Sequence, residues 1–488
     1  MKSWPVAFPL DSASIEPLFL QLARLITSDV RRGRLPPGSP LPGSRTLAHT
    51  LSIHRNTVLA AYRELEAEGW IEASARRGVF VSSALPDLKP ESFTRHRRKH
   101  VEAVKQLPFE LRPGPEPREW KPDPQDALMM GGGIPDVTLV PNDLLARAYR
   151  RVLNNHARAV LSYGDPRGHE KLRNALAGML AATRGLAITS DDLIVTRGSQ
   201  MALDLVARSL FQGGDRVAVE SFGYGPAWEA FRAAGAELIP VPVDEEGVRI
   251  DELKKRLVEG PVRGIYVTPH HQYPTTVVMT ASRRLALLEL ARRHRFVIIE
   301  DDYHHEFHYD GRPVLPLASV DESGVVAYIG SLSKVLAPGL RLGYLVAPRA
   351  LLDRATTHRL YNDRQGDQIT EAAVAELFED GEVQRHIRRA RRIYRTRREL
   401  LSEELRRRLP GVVSFEVPAG GMAIWTKVDR KIDVEAWAER ASGRGVVFLT
   451  ARSFSFDRRP RPYIRLGFAG LSENQIREAV KRMAAALL

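Results

Sequence analysis

Between residues 85 and 125 every periodic pattern in the chain stops. Prolines fall at positions 86, 90, 108, 113, 115, 117, 122 and 124. Each one lacks an amide donor and fixes φ, so neither a helix nor a central strand runs through such a stretch. The chain is therefore expected to fold as two bodies joined by an extended linker over residues 83–125. Its 488 residues are ample for both. Hydrophobic residues at 43% and charged ones at 27% describe an ordinary soluble composition. No apolar run approaches a membrane span. The first ten residues carry prolines at 5 and 9 and do not read as a signal peptide. With no cysteine, disulfides and thiolate metal sites are excluded. That absence does not by itself fix a compartment.

The first body, over residues 14–82, has helical spacing at Leu18, Leu22, Leu25, Ile26 and Val30. Pro36-Pro-Gly38 breaks that helix. Ser44 then stands where an N-cap is expected for a helix over 45–50. A turn at 51–53 leads into a second helix from His54 through Glu68, ended by Gly69. Two short β patterns, 70–72 and 78–81, flank Arg76-Arg77-Gly78 and predict a hairpin. Helix, turn, helix and basic hairpin describe a winged helix-turn-helix. Its second helix would present His54, Arg55, Asn56 and Thr57 to a major groove. Arg45 would meet phosphate, and Arg76, Arg77 and Gly78 would form the wing.

Net charge points the same way only weakly. The chain carries +13, but residues 1–85 hold ten Lys/Arg against seven Asp/Glu. The basic run 94–100 fits a solvated linker better than a phosphate contact.

The second body, over residues 126–488, alternates short apolar runs with helical stretches. Runs at 193–196, 216–219, 264–268, 296–299 and 325–329 predict a largely parallel sheet with its ligand site at the strands' C-terminal ends. The large part is expected over about 126–349 and a smaller α+β part over 350–488. Chemistry-bearing residues follow those strands. Lys334 lies among Ser331 and Ser333, with Arg341 seven residues on. A lysine held and partly desolvated, beside hydroxyls and a cation, suits imine formation with a phosphorylated aldehyde cofactor. Ser199 and Gln200 open a helix whose amides can cradle phosphate, or simply cap it. Asp301 and Asp302 end a strand beside Tyr303. His270, His271, His304, His305 and His308 show no ligand pattern with an acid or cysteine, so no metal is expected there. The arginine-rich run 385–395 reads as the polar face of a long helix, with Ile387 and Tyr394 facing inward.

Residues 17–21, 33–38, 41–48, 55–58 and 77–81 resemble, in order and spacing, the GntR family of bacterial regulators. The segment around Lys334 resembles the Schiff-base segment of fold-type I aminotransferases, which use pyridoxal 5'-phosphate. That resemblance implies an α/β aminotransferase fold with Lys334 as the imine-forming residue. It implies that Tyr224 stacks on the pyridine ring, Asp301 pairs with its nitrogen and Tyr303 reaches its phenolic oxygen. Ser199, Gln200, Ser331, Ser333 and Arg341 would serve the phosphate. Tyr163 would reach the phosphate of a neighbouring subunit, and Arg465 would clamp a carboxylate.

Together the halves resemble the MocR (GabR-like) regulators. This implies a cytoplasmic head-to-tail homodimer on double-stranded DNA with paired half-sites. It senses an amino compound or a vitamin B6 form. Two departures stand out. Pro274-Thr-Thr276 replaces the usual Pro-Thr-Gly, and 420–425 reads more like a working aminotransferase. An active aminotransferase with an appended DNA-binding head is the second reading. A DNA-binding protein that has lost its cofactor is the third, and the retained lysine, acid and arginine weigh against it.

Overall fold

The computed structural model of the protein describes residues 8–11, 14, 16–74, 78–86 and 126–487. It divides into two compact units, residues 1–112 and 113–488.

In the first unit, α1 (Leu18–Arg31), α2 (Ser44–Leu51) and α3 (Arg55–Ala67) pack around Leu22, Ile26, Leu47, Val58 and Leu65, all nearly solvent-free. The apolar residues of α1 recur every three or four positions, which places them on one face. The Tyr62 hydroxyl donates to the Pro42 carbonyl at 2.7 Å and ties α3 to the segment before α2. Three short strands complete the unit: β1 (Pro40–Leu41), β2 (Ile71–Ser74) and β3 (Gly78–Val81), in the order β1-β3-β2 and antiparallel.

Ser44 does not cap α2. Gly43 occupies that position without a side-chain cap, and Ser44 is the first helical residue. The cap that does form is at α3, where His54 Nδ1 accepts from the Asn56 amide at 3.2 Å.

The second unit is built on a seven-stranded sheet. In chain order its strands are β4 (Leu193–Thr196), β5 (Arg216–Glu220), β6 (Glu237–Val241), β7 (Gly264–Val267), β8 (Val297–Asp302), β9 (Val326–Ser331) and β10 (Gly343–Val346). Their spatial order is β4-β10-β9-β8-β7-β5-β6. Every pairing is parallel except those of β10, which is antiparallel to both neighbours. Five of the strands match the apolar runs; β6 and β10 were not among them. Strands β4, β7 and β10 are buried along their whole length, as expected of a sheet with covered faces.

The C-terminal residues form an antiparallel four-stranded sheet, with Ala423–Val428 paired to Tyr463–Gly467 at its centre. The division between the two parts does not follow chain order. Leu128 and Met130 join the core built by Trp437, Ile464 and Phe468, and Leu128–Met129 pairs with Val446–Val447. The helix Gln368–Glu379 buries Ala372–Ala375 and Phe378 in the core of the large sheet. Tyr394 is buried in the long helix Glu382–Arg408, and Ile387 is half-buried. Among the described residues no helix is long and apolar enough to cross a membrane.

Candidate functional site

At the C-terminal ends of the parallel strands lies a cavity of about 320 Å³, of the size that encloses small cofactors. It is lined by nine of the residues named from the sequence. They are Ser199, Gln200, Tyr224, Asp301, Tyr303, Ser331, Ser333, Lys334 and Arg341. Strands β8 and β9 are parallel neighbours with Asp301 opposite Ile329, so Asp301 and the loop bearing Lys334 leave the sheet side by side.

Lys334 is partly buried. Burial, then the guanidinium of Arg465, lowers its pKa to about 8, with Asp301 opposing. A sizeable fraction of the amine is therefore neutral near physiological pH. Burial also raises Asp301, to about 7, although the Tyr266 hydroxyl donates to its Oδ2 at 2.8 Å. Its Oδ1 is buried without a partner in the chain. Ser333 Oγ is in the same position, while Ser331 Oγ accepts from the Ser333 amide at 3.2 Å.

The helix α4 (Ser199–Leu210) begins at the cavity edge, so its free amides point into the site. Gly198 precedes it at φ 80°, and a Cβ there would lie 2.9 Å from an Arg341 Nη atom. Glycine thus allows both the turn and the close approach of the guanidinium. Gln200 Nε2 donates to the Pro226 carbonyl at 2.9 Å.

Three of the residues named from the sequence have partners outside the cavity lining. The Tyr303 hydroxyl donates to the His271 carbonyl at 3.0 Å rather than into the cavity. Tyr163 is exposed and away from the cavity lining, with the Arg364 guanidinium 4.4 Å from its ring centre. Arg465 is fully buried beside the cavity; its Nε donates to the Pro274 carbonyl at 3.4 Å and one Nη has no partner.

The cavity also holds residues the sequence did not mark. Tyr266 and Thr268 reach it from β7 and its end, and Tyr273 packs edge-on against both Tyr224 and Tyr303. Tyr266 carried a signal: a tyrosine in a wholly buried strand needs a partner for its hydroxyl.

In the first unit, Arg45, His54, Arg55 and Asn56 are exposed and Thr57 is half-buried. Arg55 Nε donates to Ser44 Oγ at 3.2 Å, joining the first turns of α2 and α3. Gly78 is exposed, with φ 99°. Arg76 and Arg77, and the basic run 94–100, lie outside the described residues.

Residues 135–483 match the family model described as aminotransferase class I and II. The chain belongs to that family. Residues 18–81 match the bacterial regulatory proteins of the gntR family. Over 98% of this chain and 95% of the relative, it is 31% identical to the probable rhizopine catabolism regulatory protein MocR of Rhizobium meliloti. This is the MocR-type combination of a GntR head and an aminotransferase domain. The aromatic-amino-acid aminotransferase 1 of Thermococcus litoralis is 33% identical over 74% of this chain and 87% of its own. Among solved structures, the α-aminoadipate aminotransferase LysN of Thermus thermophilus, complexed with N-(5'-phosphopyridoxyl)-L-leucine, superimposes with a TM-score of 0.70. It is 29% identical and covers 74% of this chain and 92% of that one.

Pyridoxal 5'-phosphate is the cofactor of the aminotransferase family, and this cavity fits it. An unpartnered carboxylate oxygen, an unpartnered serine hydroxyl, a helix N-terminus with an arginine, and a lysine of lowered pKa are the donors and acceptors such a molecule needs.

Proposed function

We propose that this chain is a pyridoxal-phosphate-dependent transcriptional regulator that works in the cytoplasm as a head-to-tail homodimer. The observation that carries the reading is the joining, in one chain, of an exposed α3 N-terminus in a GntR-type head and a cavity lined by Lys334, Asp301 and Arg341.

When bound, the cofactor supplies an aldehyde that captures amines covalently and a ring that withdraws electrons. The rest falls to the chain. Lys334 provides the resident amine, and its lowered pKa keeps the neutral form available. Asp301, whose Oδ1 has no partner in the chain, would pair with the ring nitrogen, and the Tyr266 hydroxyl holds its other oxygen. The amides at the start of α4, with Ser199, Ser331, Ser333 and Arg341, hold phosphate. Gln200 positions the loop at Pro226. Tyr224 would lie against the ring, and Tyr303 would serve the phenolic oxygen. Arg465 takes the carboxylate of an amino compound with its free Nη; a planar bidentate donor suits that task. Tyr163, exposed here, completes the phosphate site of the partner subunit.

The winged head binds double-stranded DNA through Arg45, His54, Arg55, Asn56 and Thr57, with Arg76, Arg77 and Gly78 in the wing. A dimer engages paired half-sites. Effector binding changes DNA affinity only as far as the two DNA-binding arrangements differ in affinity for the effector.

The test is to select duplexes from a random pool with the cofactor-loaded protein, then titrate the selected sequence with and without candidate amino acids, amines and vitamin B6 forms. A sequence-specific complex whose affinity shifts with one of these classes supports the reading. No specific sequence, or an affinity indifferent to every class, removes it. The second reading, an aminotransferase with an added DNA-binding activity, is favoured by the gathering of lysine, acid and arginine in one cavity and by the glycine pair at 420–421. It predicts sustained keto-acid formation.

A further inference from the structure

Behind the cofactor cavity, five histidines pack ring against ring. The segment after β7 contributes His270 and His271. The turn after β8 contributes His304, His305 and His308. Ring centres of His270 lie 4.4 Å from His271 and 4.3 Å from His305, and those of His271 and His304 are 5.4 Å apart. One ring nitrogen from each of His270, His271 and His308 lies within 4.8 Å of the other two. His270, His271 and His304 are 2–3% exposed, and both ring nitrogens of each lack a hydrogen-bond partner in the chain.

Six unpaired nitrogens in a dry interior demand an explanation, because native folds satisfy nearly all such atoms. A neutral imidazole carries a lone pair on one ring nitrogen and can ligate through it.

The donor set is selective. Neutral imidazole suits zinc, cobalt, nickel and copper, whereas calcium and magnesium require carboxylate and carbonyl oxygens. The nearby carboxylate is already engaged: Asp302 Oδ2 accepts from the Tyr328 hydroxyl at 2.7 Å and lies 3.0 Å from His305 Nδ1. A second cavity, of about 340 Å³, reaches His305 and His308 and is edged by exposed Gln384, Arg388 and Arg391. Those arginines give no electrostatic attraction to a hydrated cation, so binding must come from the nitrogens as ligands.

We propose that His270, His271 and His308 form a site for a divalent transition metal of the zinc, cobalt or nickel class. The Asp302–His305 pair packs against His270 and orients the shell around it, as carboxylate–histidine pairs do beside bound metals. Tetrahedral zinc sets its nitrogen ligands about 3.4 Å apart, so the three rings need to close in by no more than about 1.4 Å on the ion. This assignment replaces the metal-free expectation drawn from sequence spacing. It does not depend on the regulator reading. It does place the ion next to the cofactor site: the His271 carbonyl holds the Tyr303 hydroxyl, and the same segment carries Pro274, whose carbonyl holds Arg465.

The experiment uses the untagged full chain with its cofactor in place, stripped of metal by chelation and titrated with cobalt(II) alone. Difference spectra against the metal-free protein are recorded with the melting temperature. The expected result is saturable visible bands of a low-coordinate cobalt–imidazole centre, about one ion per chain, a raised Tm, and displacement by zinc. Replacing two ligands, His270→Gln with His308→Ala, is expected to abolish the bands. The single change His308→Gln, at the more accessible position, is expected to weaken binding at least about tenfold; loss of even an outer-shell partner costs that much. It serves if the double variant does not fold. Cobalt that stays hexa-aqua and never saturates, or stoichiometric binding retained by a folded variant, overturns the proposal.

Discussion

The Tyr266 hydroxyl donates to Asp301 Oδ2 across 2.8 Å, from β7 to its parallel neighbour β8. This bond is what opposes the burial that otherwise drives Asp301 towards its protonated form. Removing it in Tyr266→Phe leaves the acid with a still higher pKa. Cofactor affinity should fall about tenfold, the worth of one hydrogen bond to a charged group. The loss should be larger at pH 6.5 than at pH 8, because less of the carboxylate is ionised there. Equilibrium dialysis at the two pH values checks both statements; equal affinity to the unaltered protein would remove Tyr266 from the site.

Lys334 sits lowered to about 8, first by burial and second by Arg465. A lowered lysine pKa favours the neutral amine. The rate at which the cofactor-free protein takes up pyridoxal 5'-phosphate should therefore rise through about pH 8 rather than near the ordinary value for lysine. Arg465→Met should move that midpoint upward. Lys334→Ala should abolish the adduct trapped by borohydride. An uptake profile unmoved by Arg465→Met would show that the two side chains do not interact.

Arg55 is exposed at the first turn of α3 and bonded to Ser44. If it reads a base edge, Arg55→Ala should cost about 1–3 kcal/mol of specific DNA affinity. Cofactor content should be unchanged, because the residue belongs to the other unit. Fluorescence anisotropy on the selected duplex provides the number, and unaltered affinity would place Arg55 outside the interface.

Thr276 adopts φ 64°, with its amide donating to the Gln272 carbonyl at 2.7 Å. A β-branched residue in the left-handed region is strained, by about 1–2 kcal/mol. Thr276→Gly should keep the turn and raise stability by about 1 kcal/mol, less than the strain because glycine also loosens the unfolded chain. Denaturant unfolding of the full chain tests this. A lower midpoint would mean that the threonine side chain makes compensating contacts.

Much of this arrangement was readable before the fold was known, for physical reasons that differ by residue. Strands such as Leu193–Thr196 were legible because a covered sheet leaves a run of uninterrupted apolar residues. Edge strand Glu237–Val241 carries Pro240 and only alternate burial, so no run announces it. Gly343–Val346 was hidden because its residues read as the tail of the lysine segment. The cavity residues were legible as motifs at strand ends. Tyr266 lies inside a strand, where its role depends on the register with the next one. The histidine cluster was illegible because two segments some thirty residues apart meet only through the pairing of β7 and β8. Helix caps failed locally: Ser44 had the right chemistry one residue too late.

The central claim is that amine capture at Lys334 is read out as a change in DNA binding. The direct measurement follows, in the same cuvette, the visible absorbance of the cofactor-loaded protein, anisotropy of a labelled operator, and keto-acid formation as one amino compound is titrated. The account predicts that absorbance and DNA affinity change over the same concentration range, without sustained turnover, and that Lys334→Ala loses both responses. Steady transamination with DNA affinity unmoved would contradict it and make the aminotransferase reading primary.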